Sequence, residues 1–118
     1  MLLSILFFVG SFFSTIIWTG ETTHDFGDME LYSSQSHSFT YINQSEEALF
    51  IDNVRAGCGC TIPDWSKEAV PPGESAEIRV DFSPRQSGFL RKPIKVYFRG
   101  QRKAEKLYVV AFVDRKQP

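Results

Sequence analysis

The only two cysteines of this 118-residue chain stand one residue apart, in the run Arg55-Ala56-Gly57-Cys58-Gly59-Cys60-Thr61-Ile62-Pro63. Two thiols at that spacing have three states open to them: free, joined as a disulfide, or holding a soft ion such as Cu(I) or Zn(II) as thiolates. A Cys58–Cys60 disulfide closes a very small ring. Fully extended backbone sets Cα atoms two residues apart near or beyond the roughly 6.8 Å limit of disulfide geometry. The chain must therefore bend at Gly59, the residue best able to bend. So small a ring removes little entropy from the unfolded chain, so the bond adds little stability and, where strained, is easily reduced. That is the case for redox chemistry. Against it, thiol oxidoreductase sites typically set the attacking sulfur at a helix N-terminus, and no helical periodicity follows residue 22. Arg55 and Lys67 are the cations close enough in sequence to lower a thiol pKa if the fold brings them near.

A metal site needs more ligands than two sulfurs. His24 and His37 would complete a set of four by count, but their spacing matches no zinc finger or ribbon. Each histidine is expected instead as a surface or hydrogen-bonded strand residue, and no cofactor is assigned. Downstream of the cysteines, residues 61–67 read as a loop that carries Thr61, Pro63 and Trp65 as a candidate partner-binding surface. A Trp there either anchors a partner or folds back as a lid on the core. No catalytic set emerges. Asp25 and Asp28 flank Gly27, which marks a turn and not an acid–base pair. No serine sits in a nucleophile elbow, and no glycine-rich phosphate loop is present. The expectation is a protein that is not an enzyme.

The elements that must position these residues are short strands. Residues 74–82 alternate Ile78, Val80 and Phe82 with Glu77, Arg79 and Asp81, which puts apolar side chains on one face and charges on the other. Pro71-Pro72-Gly73 precedes this strand and Ser83-Pro84 ends it. Residues 90–99 repeat the pattern, with Pro93 arguing for an edge strand or a strand's beginning. Residues 107–113 are apolar on both faces, as in a central strand or one covered on both sides. Residues 23–26, 36–43 and 48–54 complete the set. Six or seven strands in under a hundred residues predict an all-β, immunoglobulin-like sandwich of about seven antiparallel strands over residues 22–114, with a polar tail at 115–118.

Residues 1–18 carry no charged side chain. As a helix they would span roughly 27 Å, near the thickness of a bilayer core. Residues 1–21 are therefore expected as an apolar N-terminal helix, either a cleaved export signal or a retained membrane anchor. No basic residue precedes the run and Gly20-Glu21-Thr22 is the nearest small-x-small triplet. The net charge of −1, with interspersed signs, gives no basic stripe for nucleic acid. The basic stretch at residues 99–106 is interrupted by Glu105 and turned by Gly100, as a solvated hairpin tip is.

Four separated motifs, in order, carry a resemblance. They are Thr23-His24-Asp25-Phe26-Gly27-Asp28, Asn53-Val54-Arg55-Ala56-Gly57-Cys58-Gly59-Cys60-Thr61, Pro63-Asp64-Trp65 and Pro72-Gly73-Glu74-Ser75. Together they resemble the bacterial domain-of-unknown-function family number 1573, over nearly all of residues 22–113. The resemblance implies an exported protein with an immunoglobulin-like fold, related at fold level to Hydin-like domains, and implies no activity. The chain departs from the family's usual Glu/Gly-rich turn at residues 29–34, and has Gly57 where a Ser is common, which gives the cysteine loop extra freedom. The reading is a non-enzymatic, periplasmic or membrane-anchored interaction or structural module. It would meet an unknown protein or envelope partner, with no nucleic acid and with membrane contact only through an uncleaved N-terminal segment. The alternative is a thiol-based redox or Cu(I)-binding module centred on Cys58 and Cys60.

Overall fold

The computed structural model describes residues 15–114, and within them every regular element is a strand. The expected apolar helix and the polar tail fall on residues 1–14 and 115–118, outside the described residues. Eight strands form in chain order: β1 (Ile16–Thr19), β2 (Thr23–Glu30), β3 (Gln35–Asn43), β4 (Ile51–Ala56), β5 (Thr61–Trp65), β6 (Ser75–Phe82), β7 (Gly88–Phe98) and β8 (Glu105–Asp114). They build two four-stranded sheets, ordered β1-β3-β6-β5 and β2-β8-β7-β4. The sheets pack face to face as a sandwich. Period-two alternation supplies the core: Ile78, Val80 and Phe82 from one sheet meet Ile94, Val96, Leu107, Val109 and Ala111 from the other, all fully buried. Each of these side chains other than that of Ala111 contributes about 1.5–3 kcal/mol on burial.

Three regions of the chain depart from expectation, the first of them its opening strands. Pairing is not wholly antiparallel, because β2 runs parallel to β8, with a register shift between Asp25 and Asp28. Gly27 sits in that bulge at φ +75°, a left-handed conformation that glycine adopts freely, and its N–H donates to Asp25 Oδ1 at 2.8 Å. The chain also changes sheets between β1 and β2, so β1 pairs only with the Thr40–Asn43 half of β3. Residues 16–19, expected within the apolar helix, are thus a strand of the sandwich, with Ile16 buried.

Residues 61–67 are the second correction. Thr61–Trp65 forms an edge strand in register with β6 from Thr61–Phe82 to Trp65–Ile78. Pro63 and Asp64 read as turn residues, but an edge strand tolerates Pro because its outward side needs no donor. Pro93 is the third. It lies inside β7, a central strand, opposite Tyr108. In an antiparallel strand the N and O of one residue point the same way. Pro93 O accepts from Gly57 N at 3.2 Å. Its ring nitrogen therefore faces the point where β4 gives way to the cysteine turn, so the bond it forgoes is the reciprocal one to Gly57 at the end of that ladder, and the pairing with β8 is untouched.

Candidate functional site

The cysteines occupy the tight connection from β4 to β5. Cys58 and Cys60 are bonded to each other, with their Cα atoms 5.3 Å apart, and no free cysteine is left. Gly59 supplies the bend. The backbone holds this turn independently of the sulfurs. Gly57 N donates to Pro93 O at 3.2 Å, Thr61 N to Cys58 O at 3.2 Å, and Ser83 N to Cys60 O at 2.8 Å.

Around the disulfide lies a shallow pocket of about 190 Å³, walled by Cys58, Gly59, Cys60, Arg85, Gln86, Leu90 and Lys92. Cys60 is buried, whereas Cys58 is half-buried. Two cations stand at the wall, and neither is one expected from chain proximity. Arg55 faces a different depression, lined by Ala56, Gly57, Pro93, Lys95 and Tyr97, and Lys67 is exposed beyond the end of β5. The pocket takes its charge from Arg85, in the β6–β7 connection, and from Lys92 on β7. A Cβ on Gly59 would lie 3.9 Å from Arg85 Nη1, so the guanidinium reaches the disulfide turn itself. Residues distant in sequence supply the cations because β7 packs beside β4, which only the sheet order reveals.

Thr61 is the other residue of the site. It is buried, and its hydroxyl lies 3.8 Å from Cys60 Sγ and 3.9 Å from Cys58 Sγ. A disulfide carries no S–H, so the hydroxyl is the donor and the sulfurs are weak acceptors. Thr61 is thus part of the sulfur site and not of an exposed partner loop. Pro63 is half-buried on the edge strand. Trp65 folds back against the core, with its Nε1 buried and meeting no acceptor among the described residues.

The histidines come together, but away from a ligand set. His24 on β2 and His37 on β3 stack with ring centroids 3.6 Å apart and planes 10° from parallel. Phe26 and Phe39 pack edge-on against His24 and His37 respectively. Burial, and then the neighbouring His24, hold the His37 pKa below the ordinary histidine value. No group of three or more His, Cys, Asp and Glu side chains converges among the described residues.

Solved structures share the fold at low identity. A secreted serine protease, VesC from Vibrio cholerae, is 12% identical, with a TM-score of 0.64 over 87% of this chain and 24% of its own. A protein of unknown function from Porphyromonas gingivalis W83 is 15% identical, with a TM-score of 0.69 over 83% of this chain and 46% of its own. The ASH/PapD-like domain 7 of human CEP192 is 8% identical, with a TM-score of 0.64 over 87% of each chain. The chain therefore spans less than half of the first two. At these identities the likeness concerns the fold alone, an immunoglobulin-like sandwich. No curated protein matches the sequence. The family profile of DUF1573, a protein of unknown function, matches residues 17–113, and with the cysteine turn at its centre this chain belongs to that family.

Proposed function

We propose that this chain is an exported, non-enzymatic binding module that docks a protein partner on the outer face of the sheet β2-β8-β7-β4. The carrying observation is a pair of exposed phenylalanines, Phe89 on β7 and Phe112 on β8, directly opposite one another and 65% and 55% exposed. Directly opposed residues point to the same face. The register therefore extends the patch into rows: Asp28, Phe112 and Phe89 in one, Asp25, Val110 and Arg91 in the next. An apolar strip results, with carboxylates along one border and a cation on the other. Arg91 lies over the Tyr108 ring, 3.9 Å from its centroid. This is also why residues 107–113 read as apolar on both faces: β8 is central, but its outer face is open.

The outer face of the other sheet also exposes Ile17 and Ile62, but on its two opposite edge strands, with a polar centre between them. Ser36 donates to Asp81 Oδ1, and Arg79 donates to both Asp81 and Ser36 at 3.1 Å. Those groups satisfy one another. An exposed aromatic strip between charged borders is what an interface core and its rim require.

Export is supported by the uncharged start of the chain and by the disulfide, a bond that persists in oxidising compartments. Since Ile16 and Trp18 pack with the core, processing that leaves the sandwich whole falls before Ile16. N-terminal sequencing of the mature protein reads this directly, and a mature chain starting after residue 19 would remove β1 and overturn it.

The docking face is tested by placing a photo-crosslinking residue at position 112 or at position 77, on the opposite face, in living cells. A discrete adduct at 112, absent at 77 and lost on Phe89→Ser, is expected. Equal adducts at both positions, or none at 112, reject the face. Each phenylalanine should contribute at least roughly ten-fold to affinity, as central aromatic contacts do.

A further inference from the structure

We propose that the Cys58–Cys60 disulfide is a thiol-exchange site for a small carboxylate-bearing thiol, with Thr61 as the hydrogen-bond donor to the sulfur released. The inference is independent of the docking face, since it rests on the pocket around the β4–β5 turn and on no exposed aromatic residue.

Three observations support it. First, the bond is not needed to shape the turn. Thr61 N to Cys58 O already closes the turn, and bonds from Gly57 N and Ser83 N tie its two ends to neighbouring segments. A ring spanning one intervening residue adds little through chain entropy. Second, the disulfide is approachable from one side. Cys58 borders the pocket and is half-buried, whereas Cys60 is buried. Third, the groups around the sulfurs favour an anion. Arg85 and Lys92 share the pocket wall with them, and no carboxylate does. The two cations suit the carboxylates of an incoming thiol.

Thr61 favours the broken bond over the intact one, and the exposure of Cys58 selects the sulfur that is attacked. Its hydroxyl is buried, and the two sulfurs are its hydrogen-bond partners. A disulfide sulfur is a poor acceptor and a thiolate a strong one, so the hydroxyl stabilises the broken state more than the bonded one. The thiolate RS⁻ attacks Cys58 Sγ, a bond forms between R–S and Cys58 Sγ, and the Cys58–Cys60 bond breaks. Its electron pair leaves on Cys60 Sγ as a thiolate, held by the Thr61 O–H. Return attack by Cys60 on Cys58 expels RS⁻ and restores the disulfide. Attack by a second RS⁻ on the mixed disulfide instead gives RSSR and a reduced Cys58, so two thiols are oxidised and the protein takes up two electrons.

The test uses the folded, oxidised protein with reduced glutathione as the carboxylate-bearing probe and 2-mercaptoethanol as the uncharged one. Intact mass identifies the mixed disulfide and gives its rate. Arg85→Gln with Lys92→Gln should slow the glutathione reaction roughly ten-fold and leave the mercaptoethanol rate within about two-fold, as expected for steering by charge. Thr61→Val should lower the equilibrium constant for reduction by glutathione about ten-fold, equivalent to about 30 mV for a two-electron couple. Thr61→Ser, which keeps the hydroxyl, should restore it, and circular dichroism confirms that each variant is folded. Three results overturn the proposal. One is absence of a mixed disulfide from the folded protein when the urea-unfolded chain forms it. Another is equal slowing of both thiols in the charge variant. The third is a Thr61→Val protein with the wild-type reduction equilibrium.

Discussion

Asn43 and Thr61 are the two buried polar side chains among the described residues, and they are buried for opposite reasons. Asn43 is saturated. Its Nδ2 donates to Glu47 O and to Val70 O, both at 2.8 Å, and its Oδ1 accepts from the N–H and the hydroxyl of Ser45. That set ties the end of β3 to the chain before β4 and sits beside the Leu49–Val70 bridge. Thr61 faces two sulfurs and no stronger acceptor. A saturated buried amide stabilises one arrangement of the chain. A hydroxyl aimed at a weak acceptor gains strength only when that acceptor changes, as sulfur does on reduction. The first is architecture, and the second is chemistry held in reserve.

The largest effect should therefore come from Asn43. Asn43→Ala removes four hydrogen bonds from a fully buried position and should cost about 3 kcal/mol in urea unfolding. A loss under about 1 kcal/mol would place Asn43 in the same class as Thr61 and dissolve the contrast.

The next effect is a slope with pH, from a pair that is neither architecture nor sulfur chemistry. The His24–His37 stack bridges β2 and β3, which belong to different sheets. His37 has a pKa below 6.5 in the folded protein, chiefly through burial and secondarily through His24. Between that lowered value and 6.5 the unfolded chain binds more protons than the folded one. Stability from this site is thus complete above pH 6.5 and is lost as pH falls through the folded pKa. The melting temperature of wild type should drop on acidification from pH 7.5 to 5 by more than that of His37→Gln. His24→Gln should remove a smaller part of the slope, because burial outranks the neighbouring charge. An equal slope in all three proteins would remove the stack from the account.

Much of the fold was legible in the sequence, and the site less so. The strands with strict alternation, such as the one holding Ile78, Val80 and Phe82, announce themselves because one face is buried and the other wet. β5 does not, because Pro63 and Asp64 carry turn propensity that an edge position overrides. β1 does not, because Ile16, Ile17 and Trp18 continue an apolar run and carry no period of their own. The bend at Gly59 is readable from spacing, but the bond is not, because the spacing leaves free and metal-bound thiols equally open. The cations are not: Arg85 and Lys92 lie 25 and 32 positions beyond Cys60, and only the β4–β7 pairing and the β6–β7 connection bring them to it. Thr61 could have been suspected as a sulfur partner from adjacency alone, but its inward direction follows from its register opposite Phe82.

A smaller effect tests how firmly the Arg85 side of the pocket is held. Tyr32 has φ +67°, in the left-handed region that glycine adopts freely. Its N–H donates to Pro84 O at 2.9 Å, and so pins the connection that carries Arg85. The Tyr32 side chain is mostly exposed. Tyr32→Gly should relieve backbone strain of about 1 kcal/mol and lose part of that to chain entropy, for a net gain below 1 kcal/mol. Glutathione exchange should be unchanged if the hydrogen bond survives.

The smallest effect is expected at Thr61 while the disulfide is intact. Valine matches threonine in shape and in β-strand preference, so the packing opposite Phe82 is kept. The hydroxyl it replaces gives up only contacts at 3.8 and 3.9 Å to weak acceptors. Removing it also removes the cost of keeping a poorly satisfied hydroxyl out of water. These two terms oppose, and Thr61→Val in the oxidised protein should unfold within about 0.5 kcal/mol of wild type. The same substitution measured after reduction should destabilise, because the hydroxyl then faces thiol or thiolate and its loss is felt. Urea unfolding of both variants in both redox states separates the two roles. Asn43→Ala should cost the same in each state, whereas the cost of Thr61→Val should depend on whether Cys58 and Cys60 are joined. A Thr61→Val cost that is large in the oxidised protein and does not change on reduction would make Thr61 a second architectural residue.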